Sequence, residues 1–152
     1  MAIKEGDKCP MFTLKDQNSE QFNIEDVLGK ENLVLYFYPK DDSPGCTKQA
    51  CSFRDAFEDF VEIGARVIGI SSDDEKSHKK FAEKHNLPFT LLADSQKKVR
   101  KMFGVPTNLL GLIPGRVTYV IDKKGTVQGV FNSQMHFDKH VSEAMKILKD
   151  LK

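Results

Sequence analysis

Cys46 and Cys51 are the residues best placed to do chemistry in this chain, and their surroundings narrow what that chemistry is. An apolar run from Leu33 to Phe37 leads into Tyr38-Pro39-Lys40-Asp41-Asp42-Ser43-Pro44-Gly45-Cys46, and an amphipathic pattern follows. A strand therefore enters a tight turn, and a cysteine stands where the next helix begins. Free N–H groups and the helix dipole at such a place favour thiolate over thiol. A thiolate there attacks an electrophile with an easily cleaved bond. With a peroxide, the sulfur takes one oxygen, the other leaves, and the cysteine becomes a sulfenic acid. Negative charge moves toward the leaving oxygen, so the reaction calls for donors aimed along the O–O axis. Three sources are at hand: the backbone N–H groups of Gly45 and Cys46, the Ser43 hydroxyl, and a cation. Arg116 is the candidate cation, because it opens a strand directly after the Pro114-Gly115 turn. Gly45, Cys46 and Arg116 are thus the expected substrate-binding groups. Pro39 has no N–H to donate and can shield the thiolate from water and further oxidation.

Cys51 offers the oxidised sulfur a partner five residues on. In an ideal helix, residues so spaced lie about 8.6 Å apart at Cα and point roughly 140° apart around the axis. A disulfide needs a Cα separation under about 7 Å. The two cysteines cannot bridge while both stay helical, so the first turns of the helix are expected to unwind once Cys46 is oxidised.

The elements that position these groups alternate along the chain. Residues 33–38 read as a buried strand, and 46–63 as a helix with Ala50, Phe53, Phe57, Phe60 and Val61 at helical spacing, stopped by Gly64. Residues 65–71 form a second strand and 72–85 a helix broken by Asn86-Leu87-Pro88; 89–93 form a third strand and 96–103 a short helix. A loop spans 104–115; a hairpin at 117–122 and 126–131 and a last helix bearing Phe137, Val141, Ala144, Met145, Leu148 and Leu151 complete the pattern. The first 30 residues read as an added hairpin and a short helical turn. This order predicts an α/β fold of three layers with a mixed central sheet and an N-terminal β-hairpin extension, the order of a thioredoxin-like fold. No repeat or linker divides the chain, and residues 1–152 read as one domain.

Composition excludes several function classes. The chain has 23 basic and 22 acidic residues, a net charge of +1, and no basic stripe or acidic tail, so neither nucleic acid nor a membrane surface is an expected partner. No apolar run approaches the roughly 20 residues of a membrane-spanning helix, and the N-terminus lacks an apolar signal core. Three cysteines, an odd count, argue against a secreted disulfide framework and for a reducing compartment with a transient, catalytic disulfide. The Cys46–Cys51 spacing has no second Cys/His pair to make a zinc site.

The spacing Pro39…Ser43…Cys46 resembles the active-site signature of the peroxiredoxins. The longer run Tyr38-Pro39-Lys40-Asp41-x-Ser43-Pro44-Gly45-Cys46-Thr47-x-x-x-Cys51 is similar to the peroxiredoxin Q, or bacterioferritin-comigratory, subfamily. Phe12-Thr13-Leu14, Gly69-Ile70-Ser71, Leu87-Pro88-Phe89, Gly104-Val105-Pro106 and Gly115-Arg116-Val117-Thr118-Tyr119-Val120-Ile121-Asp122 extend the likeness over nearly the whole chain. The resemblance implies a thiol peroxidase in which Cys46 is peroxidatic, Cys51 resolves within the same chain, and Arg116 and Ser43 activate. It implies hydrogen peroxide and organic hydroperoxides as substrates, thioredoxin or a similar dithiol as reductant, a monomer, and no metal, haem or flavin. It also implies the cytoplasm, or the plastid stroma if a transit peptide has been removed. Ser43 stands where Thr is commoner, Gln49 where many bacterial members have Glu, and Cys9 where a small residue such as Ala is usual. The run 46–51 looks more like plastid and cyanobacterial members.

Two other readings stand beside the peroxidase. One is a dithiol–disulfide oxidoreductase, against which the four-residue gap between the cysteines and the Ser/Arg accompaniment speak. The other is a redox sensor that passes oxidation to a partner. Cys9 reads as a structural replacement for alanine. His136 and His140 read as solvated surface rather than a metal pair, and His78 and His85 as caps or covers of their helix. Asn108, Leu109, Leu110 and Leu112 form a candidate rim for alkyl hydroperoxides or the reductant.

Overall fold

The segment from Leu33 to Phe37 is apolar at every position, which demands a strand covered on both faces, and that strand organises the molecule. The computed structural model describes residues 2–108 and 113–151. In chain order these hold β1 (Thr13–Asp16), β2 (Gln21–Asn23), a 3₁₀ turn (Ile24–Asp26), β3 (Asn32–Phe37), α1 (Pro44–Asp55), α2 (Phe57–Glu62), β4 (Ala65–Ser71), α3 (Glu75–His85), β5 (Thr90–Ala93), α4 (Lys98–Phe103), β6 (Thr107–Asn108), β7 (Ile113–Pro114), β8 (Val117–Ile121), β9 (Val127–Asn132) and α5 (Phe137–Asp150). Seven strands form one mixed sheet in the order β2-β1-β5-β4-β3-β8-β9. The crossover units make β3, β4 and β5 parallel, whereas β8, β9 and the β1–β2 hairpin join antiparallel. The N-terminal hairpin thus extends the central sheet along β5, as an extension of the expected kind.

Side-chain alternation splits the core into two. Leu33, Leu35 and Phe37 face a layer built from α4 (Val99, Phe103) and the N-terminal segment (Phe12, Ile24, Val27). Val34, Tyr36 and Tyr38 face the opposite layer of α1, α2, α3 and α5, through Phe53, Phe60, Phe81, Ala144 and Leu148. Three layers result, as the order of elements predicts. One register pair matters most for function. Phe37, at the C-terminal end of β3, pairs with Val117, at the N-terminal start of the antiparallel β8. Residue 116 is therefore delivered beside the turn that leads into α1.

The structure corrects several expectations. The helix expected to run from 46 to 63 is interrupted at Ala56, whose φ of −97° and ψ of 6° leave the helical region; no Gly or Pro signals the break. Its true start is Pro44, whose fixed φ and missing N–H suit the first helical position. The helix expected from 72 begins at Glu75, because Asp74 accepts a hydrogen bond from the Ser77 N–H at 2.8 Å and caps it. Within the expected loop, β6 and β7 pair antiparallel, a ladder too short to show as a period in sequence. His140 is not solvated surface: it is fully buried on α5, with Thr118 Oγ1 and the Ser133 carbonyl each 2.7 Å from its ring nitrogens. His78 does not cover its helix either, being fully buried between Asp41 and the Leu92 carbonyl. Both act as core hydrogen-bonding groups, which helical spacing alone does not reveal. The side chains of the candidate rim at Asn108, Leu109, Leu110 and Leu112 lie outside the described residues. Among the described residues no helix is long and apolar enough to cross a membrane.

Candidate active site

Cys46 is the third residue of α1 and is only 1% exposed. The first bonded turn closes where the Thr47 N–H donates to the Ser43 carbonyl at 2.9 Å. Pro44 has no N–H, so the Gly45 and Cys46 amides are the two donors left without a partner inside the helix. Ser43 stands at the N-cap position but makes no side-chain bond to those amides. Its hydroxyl instead donates to the Lys40 carbonyl at 3.0 Å and so closes the turn. The N-terminus of α1 thus presents its positive dipole end beside the Cys46 sulfur without a competing cap.

Arg116 is brought to this end of the helix by the β3–β8 register and is 4% exposed. Its Nη1 donates to Gln49 Oε1 at 2.5 Å and its Nε to the Gln134 carbonyl at 3.2 Å. Its guanidinium carbon lies 4.8 Å from the centre of the Phe137 ring, so the cation stacks against an aromatic face. Its other arm reaches Gly45, where a Cβ would come within 3.2 Å of Arg116 Nη2 and 2.6 Å of the Phe137 ring. A larger residue there would have to displace the Phe137 ring. The guanidinium is fixed by neutral acceptors, Gln49 and a carbonyl, and by no carboxylate among the described residues, so its charge stays available to an anion at the helix end.

Cys51 lies further along α1, half-buried, and all three cysteines are free thiols. Pro39 is half-buried in the turn before α1. The described structure therefore gathers Gly45, Cys46, Ser43, Arg116 and Pro39 at one end of the sheet, with Cys51 on the same helix. Cys9 sits apart in the opposite core layer, 4% exposed, its Sγ 3.4 Å from the Pro10 carbonyl. Burial pushes its thiol up to about 12, which keeps it protonated and unreactive.

Several residues at the site escape the sequence reading. Gln49 is fully buried and follows Cys46 by three positions, so helical spacing puts it on the same face, and that spacing is the signal that could have found it. Gln134 comes from the β9–α5 connection and has no local signal, and Phe137, read along the chain only as an apolar residue of the last helix, is the first residue of α5. Tyr36 is fully buried, stacks on Phe53 at 4.5 Å between ring centres, and lies over Gly69. Burial raises its phenol well above the usual value, and the neighbouring Cys46 and Asp41 raise it further.

Comparison with known proteins gives the family. Residues 5–130 match the model of the AhpC/TSA family. The chain is 54% identical over 149 residues to the chloroplastic peroxiredoxin Q of Triticum aestivum, covering 98% of this chain and 68% of that one. It is 53% identical over 150 residues to the chloroplastic peroxiredoxin Q of Sedum lineare, covering 99% and 80%. The crystal structure of peroxidoxin BcpB from Mycobacterium tuberculosis superposes with a TM-score of 0.92 at 38% identity, covering 99% of each chain. The chain accordingly belongs to the AhpC/TSA family and, within it, to the peroxiredoxin Q group, and is an oxidoreductase of the peroxidase class with a thioredoxin-like fold.

Proposed function

We propose that Cys46 is the peroxidatic thiol and Cys51 its resolving partner in a cycle that reduces hydrogen peroxide and organic hydroperoxides. The Cys46 thiolate attacks the nearer oxygen of the hydroperoxide. The S–O bond forms as the O–O bond breaks, sulfur is oxidised to the sulfenic acid, and the departing alkoxide or hydroxide takes a proton to leave as alcohol or water. Arg116 Nη2 and the Gly45 and Cys46 amides stabilise the charge that develops on the oxygens. Pro39 and the buried setting of the sulfur limit access by water. The Cys51 thiol then attacks the sulfenic sulfur, forming the disulfide and releasing water. Thioredoxin or a similar dithiol reduces that disulfide and is itself oxidised.

The observation that carries this reading is the buried guanidinium of Arg116 beside Gly45, at the N-terminus of the helix that holds Cys46. Cys46 at 1% exposure also disfavours the dithiol-exchange alternative, since a protein disulfide needs access to the attacking sulfur. Both cysteines lie in α1, where an ideal helix separates them by about 8.6 Å at Cα. The disulfide therefore requires the start of α1 to unwind, and faster hydrogen exchange over residues 44–55 in the oxidised form is its expected signature. Because the relatives in wheat and Sedum are named chloroplastic, the plastid stroma is the proposed compartment.

The test is rapid mixing of the reduced protein with one equivalent of hydrogen peroxide, followed by mass mapping of the cysteines. A fast Cys46–Cys51 disulfide is the expected product. Slow, unselective oxidation of all three thiols, or a Cys46→Ser variant with full peroxidase activity, would sink the assignment.

A further inference from the structure

Asp41 stands in the turn between β3 and α1 and is the one buried residue among positions 39–44. Its carboxylate is held at both oxygens. The Tyr38 hydroxyl donates to Oδ1 at 2.6 Å, and the Ser77 hydroxyl donates to Oδ2 at 2.8 Å. His78 Nδ1 stands 2.6 Å from the same Oδ2. The ring of His78 has no exposed surface, and its Nε2 lies 2.9 Å from the Leu92 carbonyl. A carbonyl oxygen only accepts, so Nε2 carries a hydrogen. A bare nitrogen lone pair facing a carboxylate oxygen at hydrogen-bond distance would set two acceptors against each other, so a proton lies between Nδ1 and Oδ2. The Asp41 N–H donates to Asp73 Oδ2 at 2.8 Å, and that oxygen also accepts from the Ser71 hydroxyl at 2.7 Å. One residue of the turn is thereby tied to the end of β4, to α3 and to β5.

The rest of the turn is held only at its exposed side. Asp42 adopts a left-handed φ of +61°, which aspartate tolerates better than most side chains, and its exposed carboxylate pairs with Lys84 of α3 at 3.0 Å. Ser43 closes back on Lys40, and Thr47 on Ser43, so the path from Asp41 to the first turn of α1 is a chain of short-range bonds. No side chain between Asp41 and Cys46 is buried, so Asp41 is the core anchor nearest to the sulfur on the side of the turn.

We propose that Asp41 and His78 are positioning residues of the peroxidase. Their shared proton holds the turn at 39–43, and through it the start of α1, so that the Cys46 sulfur faces Arg116. This rests on Cys46 being the attacking thiol. Failure of that reading shows in the Cys46→Ser variant, whereas failure of the present proposal shows only at His78 and its neighbours.

Two substitutions at one position separate positioning from bulk stability. The amide of His78→Asn reaches the place of Nδ1 and keeps the donor to Asp41 while losing Leu92. The longer His78→Gln reaches the place of Nε2, keeps Leu92 and loses the donor to Asp41. The rate of Cys46 oxidation by hydrogen peroxide is measured in single turnover on folded protein. His78→Gln is expected to slow it about tenfold or more, and His78→Asn to recover it to within about threefold of wild type, since small misplacements of reacting groups carry large rate costs. Ser77→Ala, which removes one donor from Asp41 at the half-buried edge of the network, is the variant to use if both His78 changes unfold the protein. It is expected to slow the reaction about threefold. Proton NMR of the unaltered reduced protein is expected to show a far-downfield, exchange-protected proton at His78 Nδ1. Wild-type rates in His78→Gln, or in Ser77→Ala where that variant replaces it, overturn the proposal. So does the absence of that proton near neutral pH.

Discussion

Acid should weaken this protein at His140, whose buried ring opposes a second proton. The imidazole is fully buried on α5, with Phe131 edge-on at 4.7 Å between ring centres. Nε2–H donates to the Ser133 carbonyl and Nδ1 accepts from the Thr118 hydroxyl, each at 2.7 Å. That arrangement is complete for a neutral ring, and what opposes a second proton is the burial of the charge it would bring. Burial is the main cause that lowers its pKa from 6.5 to about 4, and the Arg116 charge lowers it further against the opposing Ser133 bond. In the unfolded chain the ring takes its proton near 6.5, so between 6.5 and about 4 the unfolded state binds a proton that the native state refuses. The stabilisation is fully present above that window and is lost as pH falls through it. At about 1.4 kcal/mol per pH unit, the loss approaches about 3 kcal/mol, a large part of a typical domain's stability. The site shares the consequence, because Gln134 and Phe137, which hold Arg116, lie between Ser133 and His140. The assay is urea unfolding of wild type and of His140→Asn at pH 7.5 and pH 4. The difference between the two proteins' losses cancels the other titrating groups. Wild type is expected to lose about 3 kcal/mol more than the variant; a difference below about 1 kcal/mol would refute the reasoning.

Arg116→Lys keeps the charge but cannot reach Gln49, the Gln134 carbonyl and Gly45 together. We expect the second-order rate with hydrogen peroxide to fall about 10²-fold, measured by stopped flow, and a loss under about threefold would remove Arg116 from the reaction. Gly45→Ala places a Cβ 2.6 Å from the Phe137 ring, so thermal unfolding should report a destabilisation of about 1–3 kcal/mol together with slower peroxide reduction. Cys9→Ala should leave the peroxide rate unchanged, because that buried thiol stays protonated in the opposite core layer; a clear loss of rate would contradict the structural role. Cys51→Ser should still form the Cys46 sulfenic acid but lose turnover with a dithiol reductant, as mass mapping under peroxide can show.

Much of the site is legible along the chain because its groups are close in sequence. Ser43, Gly45, Cys46 and Cys51 follow one strand and one turn, and a thiol in the first turn of a helix carries its chemical meaning wherever the helix packs. The strand at 33–37 was equally legible, since a run of apolar residues bounded by turn residues needs cover on both faces. The seven residues of β4 stand at 65–71, where the period places them. By contrast the break at Ala56 carries no Gly or Pro to mark it, and the β6–β7 ladder is too short to show a period.

What the sequence by itself determined is the reactive turn, the alternation of strands and helices, and so the layered class of the fold. These follow from local propensity and from a periodicity that adjacent residues share. Only the tertiary structure decided that Arg116 is a buried partner of Gln49 rather than a surface cation, and that His78 and His140 are core donors. Gln49 and Arg116 are 67 positions apart, and Asp41 and His78 are 37. Their meeting depends on the antiparallel register of β8 on β3 and on α3 packing against β5. A buried polar side chain is stable only where such distant partners satisfy it, and that condition is met by the assembled sheet rather than by any stretch of chain.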